Sequence, residues 1–132
     1  MVITEETKPI TEEEKMGKNL KPSMVEHFEE IKMKTNGVIQ ESHKTGLYYR
    51  NSNLDNLTEK YLNEGYKDNS WGTYLHWNVN GRVVIEGEKG VKCFHPTNRP
   101  FTDDNGETKF RVGRKYFSLF NKDQTLPREV VR

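Results

Sequence analysis

Trp71 and Trp77 stand six residues apart in a run, Trp71 to Gly90, that reads WGTYLHWNVNGRVVIEGEKG. Aromatic rings next to cations and uncovered backbone suit one chemistry well: the rings stack on nucleic-acid bases while ammonium, guanidinium and N–H groups meet phosphate. Tyr49 and Arg50 repeat the combination upstream, and Arg82, Lys92, Arg111, Arg114 and Lys115 add cations downstream. In Gly87-Glu88-Lys89-Gly90, glycines leave the backbone open beside the Lys89 ammonium, a second way to meet a phosphate. The same residues have a structural reading. Tryptophans and paired tyrosines in a small domain close its core, and glycines at such a spacing make a hairpin turn.

Catalytic constellations are missing from the sequence. It contains no His-Glu-x-x-His helix, no phosphate-binding Gly-x-x-x-x-Gly-Lys loop and no Gly-x-Ser-x-Gly elbow. His27, His43, His76 and His95 fall in separate segments without carboxylates at suggestive spacing. Cys93 and His95 share a strand face, but tetrahedral zinc needs more ligands than these two. The expectation is a protein that is not an enzyme and takes neither metal nor cofactor.

Length and composition bound the scaffold. A chain of 132 residues has room for one domain with one modest core. Only 32% of residues are apolar against 31% charged, so the fourteen aromatics must supply much of the buried surface. Residues 1–14 hold five acids and one base, which leaves the remainder mildly basic within a net charge of +1. That balance permits nucleic-acid contact without demanding it. A single cysteine, an N-terminus with neither a basic start nor an apolar run, and no long apolar segment predict a soluble, cytoplasmic protein.

The elements that must position the chemistry follow from punctuation and period. Residues 1–21 read as an acidic flexible arm. Pro22, Ser23 and Glu26 predict a capping box opening a helix over 24–36 that Gly37 stops, with Met24, Phe28 and Ile31 inward. A second helix is expected over 54–64, with Leu54, Leu57, Tyr61 and Leu62 inward and Gly65 as its stop. Thr73 predicts the N-cap of a short helix over 74–80, with Tyr74, Leu75 and Val79 partly buried. At Gly81 the period changes from about 3.6 to 2. The runs 82–86 and 91–95 then predict a hairpin across Gly87–Gly90, 96–107 a loop or second turn, and 108–120 a strand pairing with both. The tail is expected from Leu126 to the end. The fold class is therefore α+β, about three helices followed by a small antiparallel sheet, with the domain over 22–125.

Four motifs in this order carry a family resemblance: Thr45-Gly46 with Tyr49, Arg50 and Asn53; Trp71, Thr73, Tyr74, Trp77, Gly81 and Val83; Gly87-Glu88-Lys89-Gly90; and Tyr116, Phe120, Asn121, Gln124 and Thr125. Together they resemble the N-terminal domain of ArdC-type antirestriction proteins over about residues 22–125. The resemblance implies an α+β single-stranded-DNA-binding domain from plasmids, phages and other mobile elements, one that helps protect incoming DNA against host restriction. In full-length members it precedes a zincin-like metallopeptidase domain; this sequence has no zinc-protease helix, so protease activity does not carry over. The likeness directs attention to Tyr49, Arg50, Asn53, Trp71, Thr73, Trp77, Lys89 and Asn121.

The expected site is then a shallow basic groove in which Arg50, Arg82, Lys89 and Lys92 meet phosphates while Tyr49 and one tryptophan stack bases. Single-stranded DNA is the expected partner. The alternative is a module that binds a host defence protein without DNA, which Glu86 and the acidic arm favour. A DNA binder should gather cations beside exposed aromatics on one face; an inhibitor should show an exposed apolar or acidic patch.

Overall fold

The computed structural model describes residues 10–130. Within them lie helices α1 (Glu12–Met16), α2 (Pro22–Thr35), α3 (Asn51–Glu64) and α4 (Tyr74–Val79), and strands β1 (Glu41–Ser42), β2 (Ser70–Gly72), β3 (Arg82–Val84), β4 (Val91–Thr102), β5 (Thr108–Asn121) and β6 (Thr125–Pro127). The class is α+β. The described residues hold four helices where three were expected, and the sheet is not a simple run of neighbours. One mixed sheet has the order β1-β2-β5-β4, with β1 parallel to β2 and the other pairs antiparallel; β3 and β6 form a separate antiparallel pair.

Helix α2 begins at Pro22, earlier than its capping signal. Proline's fixed φ and missing N–H suit the first helical position, so Ser23 lies inside the helix and no side chain caps it. The predicted capping box does not form. Asn36 takes the left-handed conformation at the C-terminus and the N–H of the following Gly37 donates to the Lys32 carbonyl at 2.8 Å. Phe28 and Ile31 of α2, Ile39 between α2 and β1, and Leu54 of α3 make one apolar cluster; Leu57, Trp71, Cys93 and Leu119 make a second, and Tyr49 packs against both. Gly65 ends α3 with φ +66 as expected, but Leu62 is largely exposed.

The stretch expected as an arm differs from Thr11 onward; residues 1–9 lie outside the described residues. Thr11 Oγ1 accepts from the Glu14 N–H at 3.2 Å and opens α1. Met16 and Leu20, two apolar residues in a polar run, pack against the first cluster. Lys15 pairs with Glu41 at 3.2 Å and Lys32 with Glu12. Local polarity hid these anchors because their partners are supplied from far along the chain.

The predicted hairpin between 82–86 and 91–95 is corrected. Strand β3 pairs with β6 (Val83 opposite Leu126), and β4 pairs with β5 along its whole length, from Val91–Leu119 to Thr102–Thr108. Gly87–Gly90 is instead a crossover between the two sheets. Gln124 Nε2 donates to the Lys89 carbonyl at 2.8 Å, and a Cβ on Gly90 would sit 3.1 Å from the Leu119 oxygen and the Phe120 ring. Leu126 and Pro127, read as the start of a tail, belong to β6. The real hairpin turn is at Asp103, whose Oδ1 accepts from the N–H groups of Asn105 and Glu107, both at 2.9 Å. Pro96 and Pro100 lie within β4, which is the outer strand of its sheet; being four apart, both aim the side without a donor at the open edge.

Candidate nucleic-acid interface

Most residues of the expected groove turn out to hold the body together. Trp71 and Trp77 are both 0% exposed. Each indole N–H is satisfied internally, Trp71 by Gln40 Oε1 at 2.7 Å and Trp77 by the Phe120 carbonyl at 2.9 Å, so neither presents a ring face to a base. Burial pushes the Tyr49 phenol up to about 12, as it does the Cys93 thiol. Thr73 caps α4, its hydroxyl accepting from the His76 N–H at 3.1 Å. That cap was predicted; the burial pattern was not. Trp77 faces inward and Tyr74, Leu75 and Val79 outward, because a helix this short presents one buried row and Trp77 takes it.

The polar residues of the motif do similar work. Arg50 donates from Nε to the Met16 carbonyl at 3.0 Å and from Nη2 to Lys18 at 2.8 Å, closing the loop after α1. Asn53 Nδ2 donates to the Phe94 carbonyl at 2.6 Å and its Oδ1 accepts from the Phe94 N–H at 3.1 Å, so one side-chain amide imitates a neighbouring strand on the open edge of β4. Arg82 Nε donates to Thr125 Oγ1 at 2.7 Å, tying β3 to β6. Asn121 Nδ2 donates to the Asp68 carbonyl at 2.8 Å. Of the four cations of the expected groove, Lys89 and Lys92 are exposed whereas Arg50 and Arg82 are half-buried.

The histidines gain partners that their spacing conceals. His27 meets Asp55 at 2.7 Å and His43 Nδ1 meets His76 Nε2 at 2.8 Å. Burial, then the neighbouring His43 and Lys44, hold His76 below the usual imidazole value. Among the described residues no three His, Cys, Asp or Glu side chains converge to hold a metal ion.

Exposed aromatics and cations gather elsewhere, on the two-stranded ribbon that β4 and β5 form beyond the core. It carries Lys92, Arg99, Lys109, Arg111, Arg114 and Lys115. Of these, only Lys109 has an ion pair with a described carboxylate, Asp103 at 3.0 Å. Lys92 Nζ sits 4.6 Å from the Tyr116 ring centroid, the Arg114 guanidinium 4.5 Å from Phe94 and that of Arg111 4.8 Å from Phe101. Phe94 and Tyr116 face each other across the strands at 6.0 Å, and Tyr116 and Phe110 are 53% and 60% exposed. Such rings accept a stacked base on one face while a cation covers the other.

Phe94, Arg99, Phe101, Phe110 and Tyr116 were not singled out as site residues. The available signal was alternation of aromatic and basic residues over two runs of period 2, but it shows only once the two runs are known to pair. A second surface, of opposite character, lies on α4, β3 and β6. There Tyr74, Ile85, Phe120 and Leu126 line a groove of ≈ 480 Å³ rimmed by Glu86 and Glu88. Among the described residues no helix is long and apolar enough to cross a membrane.

Three comparisons with known proteins place this architecture. A family model described as the N-terminal domain of anti-restriction factor ArdC matches residues 5–122. The metal-free crystal structure of the antirestriction ArdC protein from plasmid R388 superposes with a TM-score of 0.61 at 23% identity, and its Mn(II)-bound structure with 0.52 at 20%. Each match covers 76% of this chain and 40% of the R388 protein, so the chain spans well under half of that length. At those identities the structural likeness is one of fold. No curated protein sequence matches the chain.

Proposed function

The chain belongs to the family of the N-terminal domain of the anti-restriction factor ArdC, and from that membership we propose that it binds single-stranded DNA, without catalysis, through the β4–β5 ribbon. The observation that carries this reading is the set of cation-covered aromatic rings on the ribbon: five of its six cations are unpaired with any described carboxylate, beside exposed Phe110 and Tyr116. Unneutralised cations supply the sequence-independent attraction of phosphate, and stacking is tolerant of base identity because every base has a π face. The ribbon replaces the groove expected around Arg50 and the tryptophans, since those side chains are committed to the body. In a host cell such a module would occupy single strands delivered by a mobile element, the setting in which anti-restriction acts.

The test is fluorescence anisotropy of a labelled oligo-dT of about 16 nucleotides, the upper range of single-domain site sizes, titrated at two salt concentrations beside a duplex control. Salt-sensitive binding that prefers the single strand is the expected result; equal or stronger affinity for the duplex would contradict it. A second reading, docking of a host defence protein, is favoured by Tyr74, Leu75 and Val79, exposed together on α4 above the acidic-rimmed groove. Leu75→Glu should spoil a protein contact there and leave oligo-dT binding unchanged.

A further inference from the structure

The two faces of the ribbon differ. Paired residues share a face and successive residues alternate, so the register puts Phe94, Tyr116, Lys92 and Arg114 on one side, and Thr97, Gly113, Arg99, Arg111 and Lys115 on the other. This second side opens into a cavity of ≈ 410 Å³ lined by Thr97, Arg99, Arg111, Gly113 and Lys115, with Val112 and Arg114 of β5 also in its lining. Gly113 is directly opposite Thr97, and a Cβ there would come within 3.1 Å of Thr97 Oγ1, so glycine leaves the hydroxyl open to the cavity.

Arg99 and Arg111 are also directly opposite one another. Like charges in that relation weaken a strand pair, and neither guanidinium has a described carboxylate to offset the repulsion. Arg111 is instead steadied over the Phe101 ring. Two guanidinium forks, an ammonium and a hydroxyl around one small cavity match the shape and charge of a tetrahedral oxyanion.

Resting on the proposed binding of single-stranded DNA, we propose that this cavity is a dedicated phosphodiester subsite: Arg99 and Arg111 clamp one backbone phosphate, with Lys115 and the Thr97 hydroxyl donating to it, while bases stack on the opposite face. A strand that engages both faces passes over an edge of the ribbon. One backbone phosphate and the stacked bases are thereby held at separate places on the ribbon.

Salt dependence separates the two faces, because log K against log salt changes by about 0.7 for each phosphate contact on a single strand. Oligo-dT binding by the full chain is measured over a salt series for the wild type, Arg99→Gln/Arg111→Gln, Phe94→Leu/Tyr116→Leu and an off-ribbon control, Lys18→Gln/Lys21→Gln. The arginine pair should bind more weakly with a slope shallower by about 0.7 or more, and its melting temperature without DNA should equal or exceed that of the wild type as the repulsion is relieved. The aromatic pair should bind more weakly with the slope intact. A wild-type slope in the arginine pair, an equal change in the control, or a lowered melting temperature would overturn the subsite while the DNA reading stands. Absence of wild-type binding at the lowest salt would overturn the DNA reading and the subsite together.

Discussion

In the body, Trp71 and Trp77 are buried to the last atom and each indole N–H has a fixed acceptor; in the ribbon, Phe94 and Tyr116 stand partly in solvent, held by the cations Arg114 and Lys92 rather than by surrounding side chains. Both regions are aromatic, yet the first uses its rings as volume and the second as faces. The difference lies in what surrounds each ring. Helices α3 and α4 close over opposite faces of the sheet where β2 meets β5, α3 against Trp71 and Leu119 and α4 against Gly72 and Phe120, but nothing among the described residues covers the outer half of β4 and β5. A ring whose polar atom is satisfied internally gains most by complete burial. A ring between strands at an open edge keeps one face for something else.

Exchanging the two kinds of aromatic should break the comparison most severely. Trp77→Ala removes a fully buried indole, and urea unfolding should show a loss of about 3–5 kcal/mol. Next come the ribbon rings: Tyr116→Ala should leave the urea midpoint almost unmoved while weakening oligo-dT binding by about 1–3 kcal/mol per stacked base. A Tyr116 variant that unfolds as readily as the Trp77 variant would show that the ribbon ring is structural too.

Asn53 joins the regions, since its amide grips Phe94 at the root of the ribbon. Asn53→Ala leaves two backbone groups without that partner, and a loss of about 1–3 kcal/mol is expected, with hydrogen exchange quickened first at the Phe94 amide. Thr73→Ala removes the cap of α4, and thermal unfolding should register a loss of about 1 kcal/mol with ribbon binding unaltered. The smallest effect is on pH. Tyr49 is raised from 10.0 to about 12 by burial, so its contribution is complete below pH 10 and lost as pH climbs toward 12, a window that absorbance at alkaline pH can follow. His76 is lowered from 6.5; its contribution is present above that value and fades as the solution is acidified.

Much of the body was legible. Helix α3 ends at Gly65, α4 is capped by Thr73, and β5 runs over Thr108–Asn121 in near agreement with the expected 108–120, because caps, stops and alternation act over a few neighbouring residues. The family motif was legible as well, and its residues proved to be mostly fasteners: Arg50 to α1, Asn53 to β4, Asn121 to the loop before β2. Residues whose identity is tied to one geometric partner leave a recognisable spacing. An exposed ribbon has fewer such constraints: of its aromatics only Tyr116 stood in a motif, and its cations stood in none.

By itself, then, the sequence determined the α+β class, the positions of the three longer-range helices α2, α3 and α4 to within a few residues, and the family. Only the tertiary structure decided that β3 seeks β6 rather than β4, that residues from Thr11 onward are docked, and which side of β4 and β5 carries rings or guanidinium groups. Period-2 runs carry no mark of their partner. The choice is made by packing between residues tens of positions apart, such as Gln124 on Lys89 and Asn53 on Phe94, and that choice brings Arg99 opposite Arg111 around an open cavity.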